Sequence, residues 1–314
     1  MSYTFRPAVR ENTPLIIGIA GPTKSGKTMS ALRVATGLAN GGTIAMINAE
    51  GLRGHQYADK YKYVTCDLNP PFRPSCYTGA LQAAASHKPA VVIIDSVSHM
   101  HDGPGGILEW HEEILDRMAG NDRGKREKCT FTAWVEPKAS ENQFIYQMLG
   151  MKCPVILCLR AKEKIKIISG KPPIDLGWQP IVGERVAFET IFTLMLVPHC
   201  KGVPDLSLSD MREPFDILVP KDKPINEALG RTLAQWSMGG QPATTNGHVS
   251  EGDKAYAEGL NIDQDPAEPY RGKLRTCERS PTAVNETYYK IPEEIRQDCQ
   301  AEYTRQLKSV SMKK

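Results

Sequence analysis

"LIIGIAGPTKSGKTMSAL" (residues 15–32) carries an apolar run into a glycine-rich turn and on into a stretch with helical spacing. Residues 15–20 read as a strand covered on both faces. Met29, Leu32, Val34, Ala35 and Leu38 fall along one helix face over residues 28–41, with Gly41-Gly42 after its end. Between them, Gly21-Pro22-Thr23-Lys24-Ser25-Gly26-Lys27-Thr28 matches G-x-x-x-x-G-K-[ST] in full, in the strand–turn–helix setting that gives the pattern meaning. Glycines let successive backbone N–H groups turn inward around an anion, and a helix N-terminus adds its positive end. The expectation is a turn, Gly21 through Met29, that holds the phosphates of ATP. Lys27 would reach the β- and γ-phosphates and the Thr28 hydroxyl would hold Mg²⁺.

Working outward, short apolar runs alternate with amphipathic stretches to about residue 236. Further strands are expected at residues 43–47, 63–66, 90–94, 155–159 and 190–197, and helices at 77–86 and 106–118. Such alternation predicts an α/β core, a mainly parallel sheet with helices on both faces. "MGGQPATTNGHVSEGD" has almost nothing to bury and reads as a flexible linker. The organisation predicted is an N-terminal arm (1–14), a core (15–237), a linker (238–253) and a small C-terminal tail (254–314) with one helix near 292–310.

Composition excludes several classes. Hydrophobic content of 40% and charged content of 24% fit a soluble globular chain. No apolar run approaches the ~18 residues of a membrane span, and Met1–Arg6 carry no secretory h-region, so no membrane association and a cytoplasmic location are expected. The eight cysteines form no Cys-x-x-Cys pair, so Cys153 and Cys158, which flank a strand-like run, read as buried reduced thiols. A net charge of +3 is too small to name a partner.

Two carboxylates end apolar runs. "AVVIIDSVSHM" stops at Asp95, suited to holding Mg²⁺ directly or through water; an N-cap for the next segment is the alternative. "MINAEGLRG" stops at Glu50. In an open parallel sheet ligands bind off the carboxyl ends of the strands. Glu50 there could activate a water against the γ-phosphate, the plainer reading being a solvated strand end.

"MINAEGLRGHQYADKY" followed by "VVIIDSVSHM" resembles the RecA recombinase core, with its Asp-Ala-Glu-type motif and a Walker B strand ending in Val-Asp-Ser-Val-like residues. The chain resembles still more the phage-encoded RecA-like ATPases of the single-strand-annealing group. It shares Phe5-Arg6-Pro7-Ala8-Val9-Arg10, Tyr57-Ala58-Asp59, Pro70-Pro71-Phe72, Asp95-Ser96-Val97-Ser98-His99 and Phe188-Glu189. The resemblance spans about residues 5–198 and departs at Asn48, where recombinases usually carry an acid. It implies a RecA-like P-loop NTPase core, with Glu50 as the water-activating residue. It implies Arg160, at the end of the strand after Asp95, as the residue that feels the γ-phosphate, although a surface arginine paired with Glu163 fits the sequence as well. It implies DNA loops at two basic runs: Arg123, Lys125, Arg126 and Lys128, and Lys162, Lys164, Lys166 and Lys171. The last run alternates, so on an extended segment its lysines would face one way and could track a phosphate backbone. Trp134 and Trp178 lie nearby and could stack on bases, but core or rim packing is expected of each. Phe5 and Ala8 would dock into a neighbouring subunit of an oligomer or filament.

The function expected is a DNA-dependent ATPase of phage recombination. It would bind single-stranded DNA, promote annealing or strand pairing, and work alongside a host or phage single-strand-binding protein. Two alternatives stay open: a nucleotide-regulated single-strand-binding protein with little hydrolysis, and a P-loop small-molecule kinase.

Overall fold

The computed structural model describes residues 14–168 and 172–239, together with 288, 289, 296, 300, 303, 304 and 307. Phe5, Ala8 and Lys171, and most of the expected linker and tail, lie outside the described residues. The elements run β1 (Ile16–Gly21), α1 (Lys27–Ala39), β2 (Ile44–Asn48), a 3-10 turn (Gly51–His55), β3 (Val64–Asp67), α2 (Pro74–Ser86), β4 (Val91–Asp95), α3 (Ser98–Asp102), α4 (Ile107–Ala119), α5 (Arg123–Ala133) and α6 (Val135–Leu149). They continue with β5 (Val155–Lys166), β6 (Ile174–Pro180), α7 (Glu184–Phe188), β7 (Phe192–Met195), β8 (Asp205–Asp210), α8 (Phe215–Leu218) and α9 (Glu227–Ser237).

The eight strands form one sheet in the order β3-β2-β4-β5-β1-β7-β8, with β6 paired to β5. Pairing is parallel from β3 through β7, while β8 and β6 are antiparallel. This is the α/β, mainly parallel architecture the alternation of runs predicts. All the expected strands are present with bounds shifted by a residue or two, except β5, which is longer. Its first half is buried; its second half, Lys162–Lys166, is exposed and pairs with β6.

Continuous apolar strands need cover on both faces. Ile17, Ile19, Met46, Ile93 and Ile156 point to one face and pack on Leu32, Val34 and Ala35 of α1 and on Leu229 and Leu233 of α9. Their alternates Ile16, Ile47, Ile94 and Leu157 meet Tyr77 and Leu81 of α2 and Phe144 and Met148 of α6 on the other. α1 and α9 pack on each other on this face of the sheet, and the two helices approach through glycines. A Cβ on Gly37 would strike the Glu227 carbonyl, and one on Gly230 would strike the Val34 carbonyl. Arg33 spans the crossing with a two-pronged contact to Glu227 at 3.0–3.2 Å.

Residues Ala243–Lys314 form a separate compact unit. Its described residues are helical, and within it the Tyr288 ring stacks on Tyr303 at 4.0 Å.

Gly230→Val should lower stability by about 2–3 kcal/mol, since the added side chain forces α9 away from α1. Urea unfolding of the variant reads this as a lower midpoint with an unchanged slope; an unchanged midpoint would show that the crossing is slack.

Candidate functional site

Parallel register assembles the site. Gly21 pairs with Arg160, Asp95 with Cys158, and Asn48 with Asp95. Three strands, β2, β4 and β1, therefore end at one edge of the sheet, where β5 passes between β4 and β1 and continues beyond it. Because β5 lies between β4 and β1, Arg160 emerges between Asp95 and the Gly21–Thr28 turn. Cross-ties fix the edge: Ala49 N donates to Asp95 O at 2.6 Å, Val97 N to Cys158 O at 3.1 Å, and Arg160 N to Ser98 Oγ at 2.8 Å.

Within the turn, Gly26 has φ of 94° and stands just before α1, with no side chain capping the helix. That conformation is open to glycine at no steric cost, and the uncapped first amides of α1 are left free to receive an anion. Gly21 is needed for a different reason, since a Cβ there would strike the Leu196 carbonyl and Ser25 Oγ. Ser25 Oγ is buried without a partner. The buried Lys27 ammonium folds back to donate to Pro22 O at 2.7 Å. Burial lowers its pKa, against the attraction of Asp95 and Glu50.

Thr28 Oγ1 donates to Asp95 Oδ2 at 2.5 Å. Asp95 is 2% exposed, and burial pushes its carboxyl up to about 6 despite the Thr28 hydrogen bond. A carboxylate buried beside a hydroxyl, at the start of a helix whose first amides are uncapped, is the kind of set a hydrated divalent cation on a polyphosphate needs. The residues present fit Mg²⁺ held by Thr28 and Asp95.

Glu50 sits on the turn after β2, and its placement comes from Asn48. The Asn48 amide is fully buried. It accepts from Glu50 N at 3.0 Å and donates to Gly51 O and to Asp67 Oδ1 at 2.7 Å each. A carboxylate at this position could accept but not donate, so it is the amide of Asn48 that builds a bracket for the Glu50 backbone. Arg160 then grips the Glu50 carboxylate with Nε at 3.1 Å and Nη2 at 3.0 Å. Arg160 thus pairs with Glu50, not with Glu163. Burial raises the Glu50 pKa, but the Arg160 hydrogen bonds and charge outweigh it, with help from His99 and Lys27, and hold the carboxyl below its ordinary value.

A cavity of about 490 Å³ is lined by Lys24, Lys27, Thr28, Glu50, Asp95 and Arg160, with Thr23, Gly26, Arg53, Gln56 and Tyr57 around them. Ser25 and Met29 line instead a neighbouring cavity of about 480 Å³, with Arg33 and His199. The Met29 sulfur accepts from Tyr61 Oη at 3.2 Å.

The basic runs require correction. Arg123, Lys125, Arg126 and Lys128 are not in a loop; they lie on α5, whose N-terminus Asp122 caps by accepting from Lys125 N at 3.0 Å. Arg126 is committed to Asp116 and to Glu112, and Arg123 faces Glu127 at 3.5 Å. None of the four lines the cavity. Lys162, Lys164 and Lys166 are likewise not in a loop. They are exposed on a strand, at alternate positions of β5, in step with Arg160.

Trp134 and Trp178 are partly buried against the core. The Trp134 ring stacks on His111 at 4.1 Å, so it is packing, as expected. Cys153 and Cys158 are buried free thiols. Asn48 and His99 are site residues that sequence reasoning passed over. Asn48 was visible only as a missing acid, and the position of His99 depends on Phe72, far away in the chain.

Among the described residues no helix is long and apolar enough to cross a membrane. No protein-family model matches the chain, and no curated protein matches it.

Because the folded Glu50 pKa lies below the ordinary value of 4.5, its pairing with Arg160 stabilises the fold above that pH. The contribution is lost as the pH falls through the lower, folded value. Arg160→Gln should cost about 1–2 kcal/mol at pH 7, a figure already reduced for the partial exposure of the guanidinium. The gap to the parent protein should close as the pH is taken below 4.5; a gap independent of pH would mean that Arg160 acts by packing alone.

Proposed function

We propose that the chain is a RecA-like P-loop ATPase that binds single-stranded DNA and promotes annealing or strand pairing. The observation that carries the nucleotide reading is the convergence of Lys27, Thr28, Asp95, Glu50 and Arg160 on one cavity at the carboxyl edge of a parallel sheet. Their order along the sheet supports it, because the strand bearing Arg160 separates the strand of the phosphate-type turn from the strand of the buried acid.

In this reading the α1 amides and Lys27 hold the triphosphate, with Lys27 exchanging the Pro22 carbonyl for phosphate oxygens. Thr28 and Asp95 would hold Mg²⁺, which would supply neutralisation of the negative charge that develops on the phosphates. Glu50 accepts a proton from the water that attacks the terminal phosphorus, while the bond from that phosphorus to the bridging oxygen breaks and the nucleoside diphosphate leaves with the electron pair. While Arg160 grips it, Glu50 is a weak base, for the same pairing that lowers its pKa lowers its proton affinity. A terminal phosphate competes for the guanidinium, which suits a planar fork. Release of Glu50 then raises its basicity where it is needed.

The DNA assignment rests on β5. Arg160, Lys162, Lys164 and Lys166 occupy alternate positions of one strand, so a row of exposed ammonium groups leads away from the residue that meets Glu50. Such a row matches the spacing of a phosphate backbone in kind, and each contact releases counterions. Cytoplasmic location, assembly through Phe5 and Ala8, and cooperation with a single-strand-binding protein are carried by the resemblance. One observation favours a second reading. The two-pronged hold on Glu50 suits a nucleotide-regulated binding protein that hydrolyses little unless DNA breaks that hold.

ATP turnover should rise on adding single-stranded oligonucleotide. Glu50→Gln should keep nucleotide binding and lower kcat by at least about 100-fold, while Lys27→Ala should lose both. Full turnover by Glu50→Gln would contradict the hydrolytic reading, and turnover indifferent to oligonucleotide would contradict the coupling to DNA.

A further inference from the structure

Glu50 has a second neighbour that the hydrolytic scheme does not use. His99 Nδ1 stands 3.9 Å from Glu50 Oε1, beyond hydrogen-bond reach while Arg160 holds the carboxylate. The imidazole is 7% exposed. Its Nδ1 lies 2.8 Å from Ser96 Oγ, itself fully buried, and Phe72 braces the ring at 5.0 Å between centroids. The backbone around it is held close as well. His99 O accepts from Gly103 N at 2.9 Å, and a Cβ on Gly103 would press on His99 itself. A ring fixed by a hydroxyl, an aromatic shelf and a glycine turn, with one nitrogen toward a catalytic-type carboxylate, is a built support.

We propose that His99 is a positioning residue for Glu50: when Arg160 turns to a terminal phosphate, the His99 Nδ1–H becomes the carboxylate's anchor and keeps it aimed at the attacking water. This rests on the hydrolytic reading given above. The charged groups facing His99 are Arg160, Glu50 and Asp102. Burial, and after it the Arg160 charge, lower its pKa against the pull of Glu50, which favours the neutral ring with a single N–H. The role requires that proton on Nδ1, with Ser96 Oγ accepting. The negative carboxylate beside Nδ1 favours that tautomer, since a donor can serve both oxygens in turn. A lone pair at Nδ1 would face the carboxylate with like charge density.

The experiment has two arms on the full chain. Nitrogen-15 NMR of the nucleotide-free protein should show the His99 ring as the Nδ1–H tautomer; the Nε2–H tautomer would overturn the proposal, because Ser96 would then donate to Nδ1 and nothing would remain for Glu50. In the second arm, His99→Phe keeps the ring against Phe72 and removes the donor. It should lower kcat about tenfold with KM within about twofold, the worth of one well-placed hydrogen bond. His99→Asn restores an N–H near the Nδ1 position and should recover most of the rate. Equal losses in both variants, or none in His99→Phe, would overturn the proposal in favour of simple packing. If His99→Phe does not fold, His99→Gln, which carries its amide toward the Nε2 position, takes its place as the loss variant. A parent protein with no ATP turnover would sink the hydrolytic reading, and the NMR arm would still decide the tautomer.

Discussion

Parallel pairing in a fixed register is the constraint on which the molecule depends. Once Gly21 is set beside Arg160, and Asp95 beside Cys158 and Asn48, the carboxyl ends of β1, β4 and β2 and the Arg160 position of β5 share one edge. A slip of one residue in any of these pairs would turn its buried apolar side chains to the other face and carry its terminal residue out of the site. The two layers that enforce the register, α1 with α9 and α2 with α6, are therefore as much a part of the site as the residues lining it.

Charge is distributed over that edge so that no group is indifferent to its neighbours. Asp95 is buried with a threonine hydroxyl, and Lys27 rests on a carbonyl oxygen. Glu50 is gripped by Arg160 with His99 in waiting. Each arrangement is a compromise in which a strongly polar group has fewer or weaker partners than it could have. Such compromises mark places where a ligand improves the electrostatics, because buried charges cost free energy until they are matched. The orphaned Ser25 hydroxyl points the same way.

Much of this was legible in the chain. The strand–turn–helix of residues 15–39 and the apolar runs ending in Asp95 and Glu50 follow from local pattern, and the structure places them together. What escaped has physical reasons. β6 and the outer half of β5 pair with each other at exposed or half-exposed positions, so neither shows the apolar run by which a strand is recognised. α5 was read as a loop because its basic residues hide any apolar stripe, although Asp122 before Arg123 was an N-cap signal in plain view. Asn48 was judged by the charge it lacks, whereas its function depends on donating as well as accepting. His99 stands in the motif that ends in Asp95-Ser96-Val97-Ser98-His99, but nothing local gives it a role, because its position depends on Phe72 packing against it.

Calorimetric titration of the full chain with a slowly hydrolysed ATP analogue, with and without Mg²⁺, tests the central claim most directly. The account predicts one site per chain with a dissociation constant in the micromolar range, about −8 kcal/mol, weakened strongly when Mg²⁺ is removed. No heat of binding up to millimolar analogue, or binding of equal strength without the metal, would contradict it.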